Sequence, residues 1–171
     1  VNLYKTNLVL QSITPSTIKD LIKEYWYKDV QESRLNNKYN FLLSAKYFEI
    51  EYELCKILLN YCKQLYNIDL ECVKTTGVYA YVSNQTSYDA VIHNHKKTHS
   101  ITGVYYVNVP ESDNGNLNFY NDNYNFLTSI KPKTNDFIIF DGSLNHKPLP
   151  SKSNEYRISL NTGIQIYDRT R

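Results

Sequence analysis

The feature that most constrains this chain is a change of hydrophobic period near Cys72. Before it, apolar residues recur at steps of three and four. After it, short β-rich runs alternate with turn residues. A run with a helical period does not settle as a strand, nor the reverse. Helices first and many short strands afterwards predict an α+β domain. The helices are expected to brace one face of an antiparallel sandwich or barrel.

Thr14-Pro15-Ser16 is a helix start, with Pro in the first turn. Ile18, Leu21, Ile22 and Tyr25 follow at helical spacing. A loop rich in Asn and Lys is expected around Asn36 to Asn40. A longer amphipathic helix is predicted from about Ser44 to Tyr66, its apolar stripe being Phe48, Tyr52, Cys55, Leu59 and Cys62. Strands are predicted around Gly77–Val82, Ala90–His95, Thr102–Val109, Leu117–Tyr120, Asp136–Phe140 and Tyr156–Tyr167. Asn114-Gly115 and Asp141-Gly142 are turn signals. Asn121–Phe126 reads as a surface loop, with a substrate loop as the alternative. Residues 1–171 are expected to form a single domain, with about 1–70 as helical support and about 71–171 as the β part.

Composition removes several functions. The net charge of +2 is too near zero to argue for a nucleic-acid or anionic-membrane partner. No apolar run approaches the ~20 residues of a membrane span. Val1-Asn2-Leu3-Tyr4-Lys5 does not open a signal peptide, and a cytoplasmic location is expected. Cys55, Cys62 and Cys72 are odd in number and irregular in spacing, so they predict free thiols in a reducing compartment rather than disulfides or a zinc ribbon. The abundance of Asn, Lys, Ile and Tyr suggests an AT-rich phage or microbial genome.

All four histidines lie in the β half. In a strand, His93 and His95 of His93-Asn94-His95 would point to one face. Both could meet one metal ion, or both could face solvent. His146 follows the apolar run Phe137–Phe140 and the turn Asp141-Gly142, and would supply a third ligand. Imidazole suits zinc, copper, nickel and iron alike. His99, in Lys96-Lys97-Thr98-His99-Ser100, is expected to be exposed to solvent. In Arg157-Ile158-Ser159, Arg157 and Ser159 alternate onto one face, where an inward Arg would hold a carboxylate.

The order of these pieces resembles the 2-oxoglutarate/iron(II) dioxygenase superfamily, in its prolyl-hydroxylase-like branch. His-x-His is followed by Gly-Val-Tyr-Tyr-Val, then Gly115-Asn116-Leu117-Asn118-Phe119, His146-Lys147-Pro148-Leu149-Pro150 and Arg-x-Ser. The resemblance covers roughly residues 77 to 167. It implies a double-stranded β-helix (a cupin-like jelly roll) with N-terminal supporting helices, and a hydroxylase using Fe(II), 2-oxoglutarate and O2. It also implies that His93 and His146 bind iron. Arg157, Ser159 and Tyr106 would then receive the distal carboxylate of 2-oxoglutarate. His95 stands where the family carries a carboxylate, so the metal set becomes His93, His95 and His146, with Asp89 or Asp141 as alternative third ligands. Other readings are a three-histidine cupin-type oxygenase without 2-oxoglutarate, a non-enzymatic jelly-roll phage binding or structural protein, and a zinc hydrolase. The last lacks a His-Glu-x-x-His motif.

Overall fold

The computed structural model describes residues 3–26, 41–87 and 89–167. The expected loop at Asn36 to Asn40 lies outside the described residues. Strand β1 is Leu3–Asn7. Helix α1, Pro15–Leu21, starts where the sequence predicts: Thr14 caps it, exchanging hydrogen bonds with Thr17 in a capping box. A π-helical turn, Ile22–Trp26, continues it. After the two-residue strand β2, Phe41–Leu42, and a short 3-10 turn, helix α2 spans Phe48–Tyr66. Seven further strands follow: β3 Val73–Ser83, β4 Ile101–Asn108, β5 Leu117–Tyr120, β6 Phe126–Ile130, β7 Asp136–Asp141, β8 Asn145–Pro148 and β9 Arg157–Ile166.

These strands form two antiparallel sheets. One has the order β1-β7-β4-β9-β3-β2, the other β6-β5-β8. Together with the helices they give the α+β, double-stranded β-helix fold expected from the sequence. The larger sheet is covered on both faces. On one side, Ile50, Leu54 and Leu58 of α2 share a core with Val78, Ala80, Tyr105, Phe137, Ile139 and Leu160. On the other side, Val104, Tyr106, Ile138 and Phe140 meet Leu117 and Phe119 of the smaller sheet. This explains why Phe137–Phe140 is apolar without a break: both faces of β7 are buried. It also fixes alternation in β9, where Ile158, Leu160 and Ile164 face the helices.

Two expectations change. The buried stripe of α2 is Ile50, Leu54, Leu58 and Cys62, while Phe48 and Tyr52 are exposed. Aromatic bulk misplaced the stripe by part of a turn. Ala90–His95 is not a ladder strand: His93 alone forms a bridge, with His146. Asn121–Phe126 is a largely exposed loop as expected, ending where Phe126 opens β6. The cysteines are free thiols, Cys62 buried and the others half-buried. No described helix is long and apolar enough to cross a membrane.

Candidate active site

The lone bridge between His93 and His146 is the scaffold of the site. His93 N–H donates to the His146 carbonyl at 3.0 Å, and His146 N–H to the His93 carbonyl at 2.8 Å. The two rings are thereby brought to 4.4 Å between centroids. His95 N–H donates to the Gly142 carbonyl at 2.7 Å, and its ring lies 5.1 Å from that of His93 and 5.0 Å from that of His146. One nitrogen from each imidazole falls within 4.8 Å of the others. His-x-His therefore converges as the sequence predicts, although a single rung holds it rather than a sheet.

Protonation favours ligation. Nδ1 of His93 lies 2.9 Å from the Val91 carbonyl, and Nδ1 of His146 lies 2.9 Å from the Leu144 carbonyl. A carbonyl only accepts, so each Nδ1 carries the proton and each Nε2 keeps its lone pair. Burial pushes His146 down to about 3, helped by the charge of its neighbour His93. Burial likewise lowers His95 to about 4. Both are neutral near pH 7, the form that binds metal.

Neither alternative carboxylate joins them. Asp89 is exposed and ion-paired with Lys147 at 2.7 Å. Asp141 pairs with Ile101 in the larger sheet and is absent from the cluster of ligating atoms. His99 is half-buried, contrary to expectation. Its Nε2 lies 3.0 Å from Thr76 Oγ1, and its ring stands 4.9 Å from His95. Gly163 makes room for it: a Cβ there would come within 2.5 Å of His99 Cγ.

The three histidines line a cavity of about 420 Å3 together with Tyr106, Arg157 and Ser159. All three of these are buried. Val104, Leu117 and Pro148 give the cavity apolar walls. Arg157 Nη1 donates to the Gly115 carbonyl at 2.8 Å and to Asp113 Oδ1 at 3.5 Å, and Nη2 to the Leu149 carbonyl at 2.9 Å. Arginine has five N–H donors, so these bonds fix the fork without exhausting it. Gly115 is required here: a Cβ would lie 2.1 Å from Arg157 Nη1. Tyr106 is pushed up to about 12, chiefly by burial against the opposing pull of Arg157. It stays a neutral donor.

A family model for the 2OG-Fe(II) oxygenase superfamily matches residues 77–164, just over half of the chain. The chain belongs to this superfamily. It is a 2-oxoglutarate- and iron(II)-dependent dioxygenase, an oxidoreductase, and its co-substrates are 2-oxoglutarate and O2. Family membership displaces the hydrolase and non-enzymatic readings. No curated protein matches in sequence. Solved structures share the fold. A viral collagen prolyl hydroxylase from Paramecium bursaria Chlorella virus-1 aligns with TM-score 0.65 and 18% identity, over 97% of this chain and 90% of its own. A Pseudomonas putida prolyl-4-hydroxylase aligns with TM-score 0.63 and 13% identity, over 94% and 90%. A Trichoplax adhaerens prolyl hydroxylase, solved with a hypoxia inducible factor peptide fragment, aligns with TM-score 0.55 and 13% identity, over 97% and 83%.

The residues of this dioxygenase fit both groups that the family uses. Three convergent imidazoles, two of them with Nδ1 held by a carbonyl and Nε2 left free, suit iron(II). A buried guanidinium beside two hydroxyl side chains suits a carboxylate. Sequence reasoning missed two further members. Asp113 is visible only as the residue opening the Asn114-Gly115 turn. Asn161 continues the period of Arg157 and Ser159 into the same cavity.

Proposed function

We propose that the chain is a hydroxylase of a small-molecule or peptidyl substrate, acting as one domain over residues 1–171. In this reading His93, His95 and His146 hold iron(II), and Arg157, Ser159 and Tyr106 hold the distal carboxylate of 2-oxoglutarate. The supporting observation is that all six side chains line one cavity. Iron(II) and 2-oxoglutarate together supply the activation of O2, with 2-oxoglutarate leaving as succinate and carbon dioxide as the substrate gains oxygen.

The protein's own residues do the rest. The Val91 and Leu144 carbonyls hold the imidazole protons on Nδ1 and so aim Nε2 inward. Asp113, Gly115 and Leu149 hold the guanidinium in place before any ligand arrives, which lowers the entropy lost on binding. Tyr106 and Ser159 present hydroxyl donors to the same carboxylate. Val104 and Leu117 exclude water, and the lower dielectric strengthens the ion pair.

Arg157→Ala removes the counter-charge of the carboxylate, which costs about 2–5 kcal/mol of binding. It is expected to abolish succinate formation while metal binding stays intact. Anaerobic titration with iron(II) and then 2-oxoglutarate checks this through the visible charge-transfer band of the chelate. The band should form in the wild type and fail in the variant. Succinate formed at the wild-type rate by Arg157→Ala would remove Arg157 from the site, and no band in the wild type would overturn the assignment.

A further inference from the structure

A second cavity, of about 570 Å3, adjoins the first and shares His95 and Asn161 with it. Strand β9 runs past both. Arg157, Ser159 and Asn161 line the first cavity, and Asn161 and Gln165 line the second. The second cavity thus continues from the metal-ligating cluster in the direction away from Arg157. Its volume lies within the range of ~300–1,000 Å3 that small-molecule sites occupy. The His99 ring, bonded to Thr76 and packed against Gly163, forms part of its wall.

The charge of this cavity is one-sided. Lys74, at the start of β3, and Lys97, in the turn after His93-Asn94-His95, both line it, and among the described residues no Asp or Glu does. Among the described residues neither ammonium has an ion-pair partner. The remaining polar lining is neutral, with hydroxyls such as Tyr79 and the carboxamides of Asn161 and Gln165. In the first cavity, by contrast, Asp113 partly offsets Arg157. A cleft lined by charges of one sign concentrates ligands of the other sign. An ammonium is a point charge that accepts carboxylate and phosphate alike.

We propose that this second cavity holds the substrate to be oxidised, and that the substrate is a small molecule bearing a carboxylate or phosphate held by Lys74 and Lys97. The proposal rests on the placement of iron at His93, His95 and His146. It narrows that reading from peptidyl or small-molecule substrates to small anions.

The test is calorimetric titration of protein loaded anaerobically with iron(II) and 2-oxoglutarate, using inorganic phosphate and propionate as separate probes. With the co-substrate in place, its own carboxylate site is filled. At least one probe should bind saturably to the wild type. Lys74→Ala/Lys97→Ala should weaken that binding at least tenfold, and Lys74→Arg/Lys97→Arg should retain it. Both lysines are exposed, so neither exchange disturbs the core. Binding of phosphate alone points to a phosphate ester, and of propionate alone to a carboxylic acid. Absence of binding by either probe, or equal binding in the double Ala variant, overturns the proposal. Failure of 2-oxoglutarate itself to bind is seen in the loading step and counts against the co-substrate reading instead. In that case the probes are titrated into the iron-loaded protein and judged by the same lysine dependence.

Discussion

His95 occupies the place where the resembling family carries a carboxylate, and this single exchange sets the charge of the site. Three neutral imidazoles leave the full charge of the metal uncompensated, whereas an Asp would offset part of it. His95→Asp is therefore expected to bind iron(II) as tightly as the wild type or up to about tenfold more tightly, a gain of at most ~1.4 kcal/mol. Anaerobic iron(II) titration measures this, and complete loss of metal would show that a carboxylate cannot take the place of His95. At this scale the sequence was legible wherever a side chain has few other uses. Paired His residues, a distant His and an Arg-x-Ser alternation were readable from type and spacing. His99 and Asp113 were not, because their places depend on Thr76, Gly163 and Arg157, all far away along the chain.

Helix α2 shows how an element can be recognised while its orientation is misread. The helix lies where its period predicts, but large aromatic residues at Phe48 and Tyr52 drew the expected stripe onto the exposed side. Leu58 is fully buried and contacts the sheet beside Gly103 and Phe137: a Cβ on Gly103 would come within 3.3 Å of Leu58 Cδ1 and 2.7 Å of Phe137. Leu58→Ala should cost about 2–5 kcal/mol. Tyr52→Ala, at a position 59% exposed, should stay within about 0.5 kcal/mol. Urea midpoints of the two variants decide it, and a reversed order would restore the sequence-based stripe. Strands β1, β6 and β8 escaped sequence reading for a related reason. Each lies at the edge of its sheet, with β8 carrying only the single His93–His146 rung on its outer flank, so a clean apolar alternation is not required. Pro148 at the end of β8 is tolerated on such an edge. The strands buried on both faces, β4 and β7, were the easiest to find.

For the whole molecule, the histidines couple folding to acidity. His95, His99 and His146 all have pKa values lowered by burial. The unfolded chain therefore binds more protons than the folded one at any pH between those values and about 6.5. Stability of the metal-free protein is full above about pH 6.5 and falls as the pH drops. The loss at pH 5.5 is expected to be about 3 kcal/mol, about 1.4 from each of His95 and His146. Urea unfolding at pH 7.5 and 5.5 reads it directly, and equal midpoints would mean that these rings are not held neutral. Strand order is the property that no local pattern carried. Nothing in a short window says that Leu3 pairs with Phe140 or Val73 with Ile166. That wiring has a kinetic consequence. Neighbours in the larger sheet are distant along the chain, so loops must close before most contacts form, and such topologies fold in about milliseconds to seconds. The bridge between His93 and His146 is itself one of these long-range closures. In stopped-flow refolding with cobalt(II), the absorbance should therefore rise together with the fluorescence change of Trp26, whose contact with Tyr156, 5.1 Å between rings, also joins distant parts of the chain. A nascent chain would gain its oxidising centre only once the sheet is wired, keeping redox-active metal away from half-made protein.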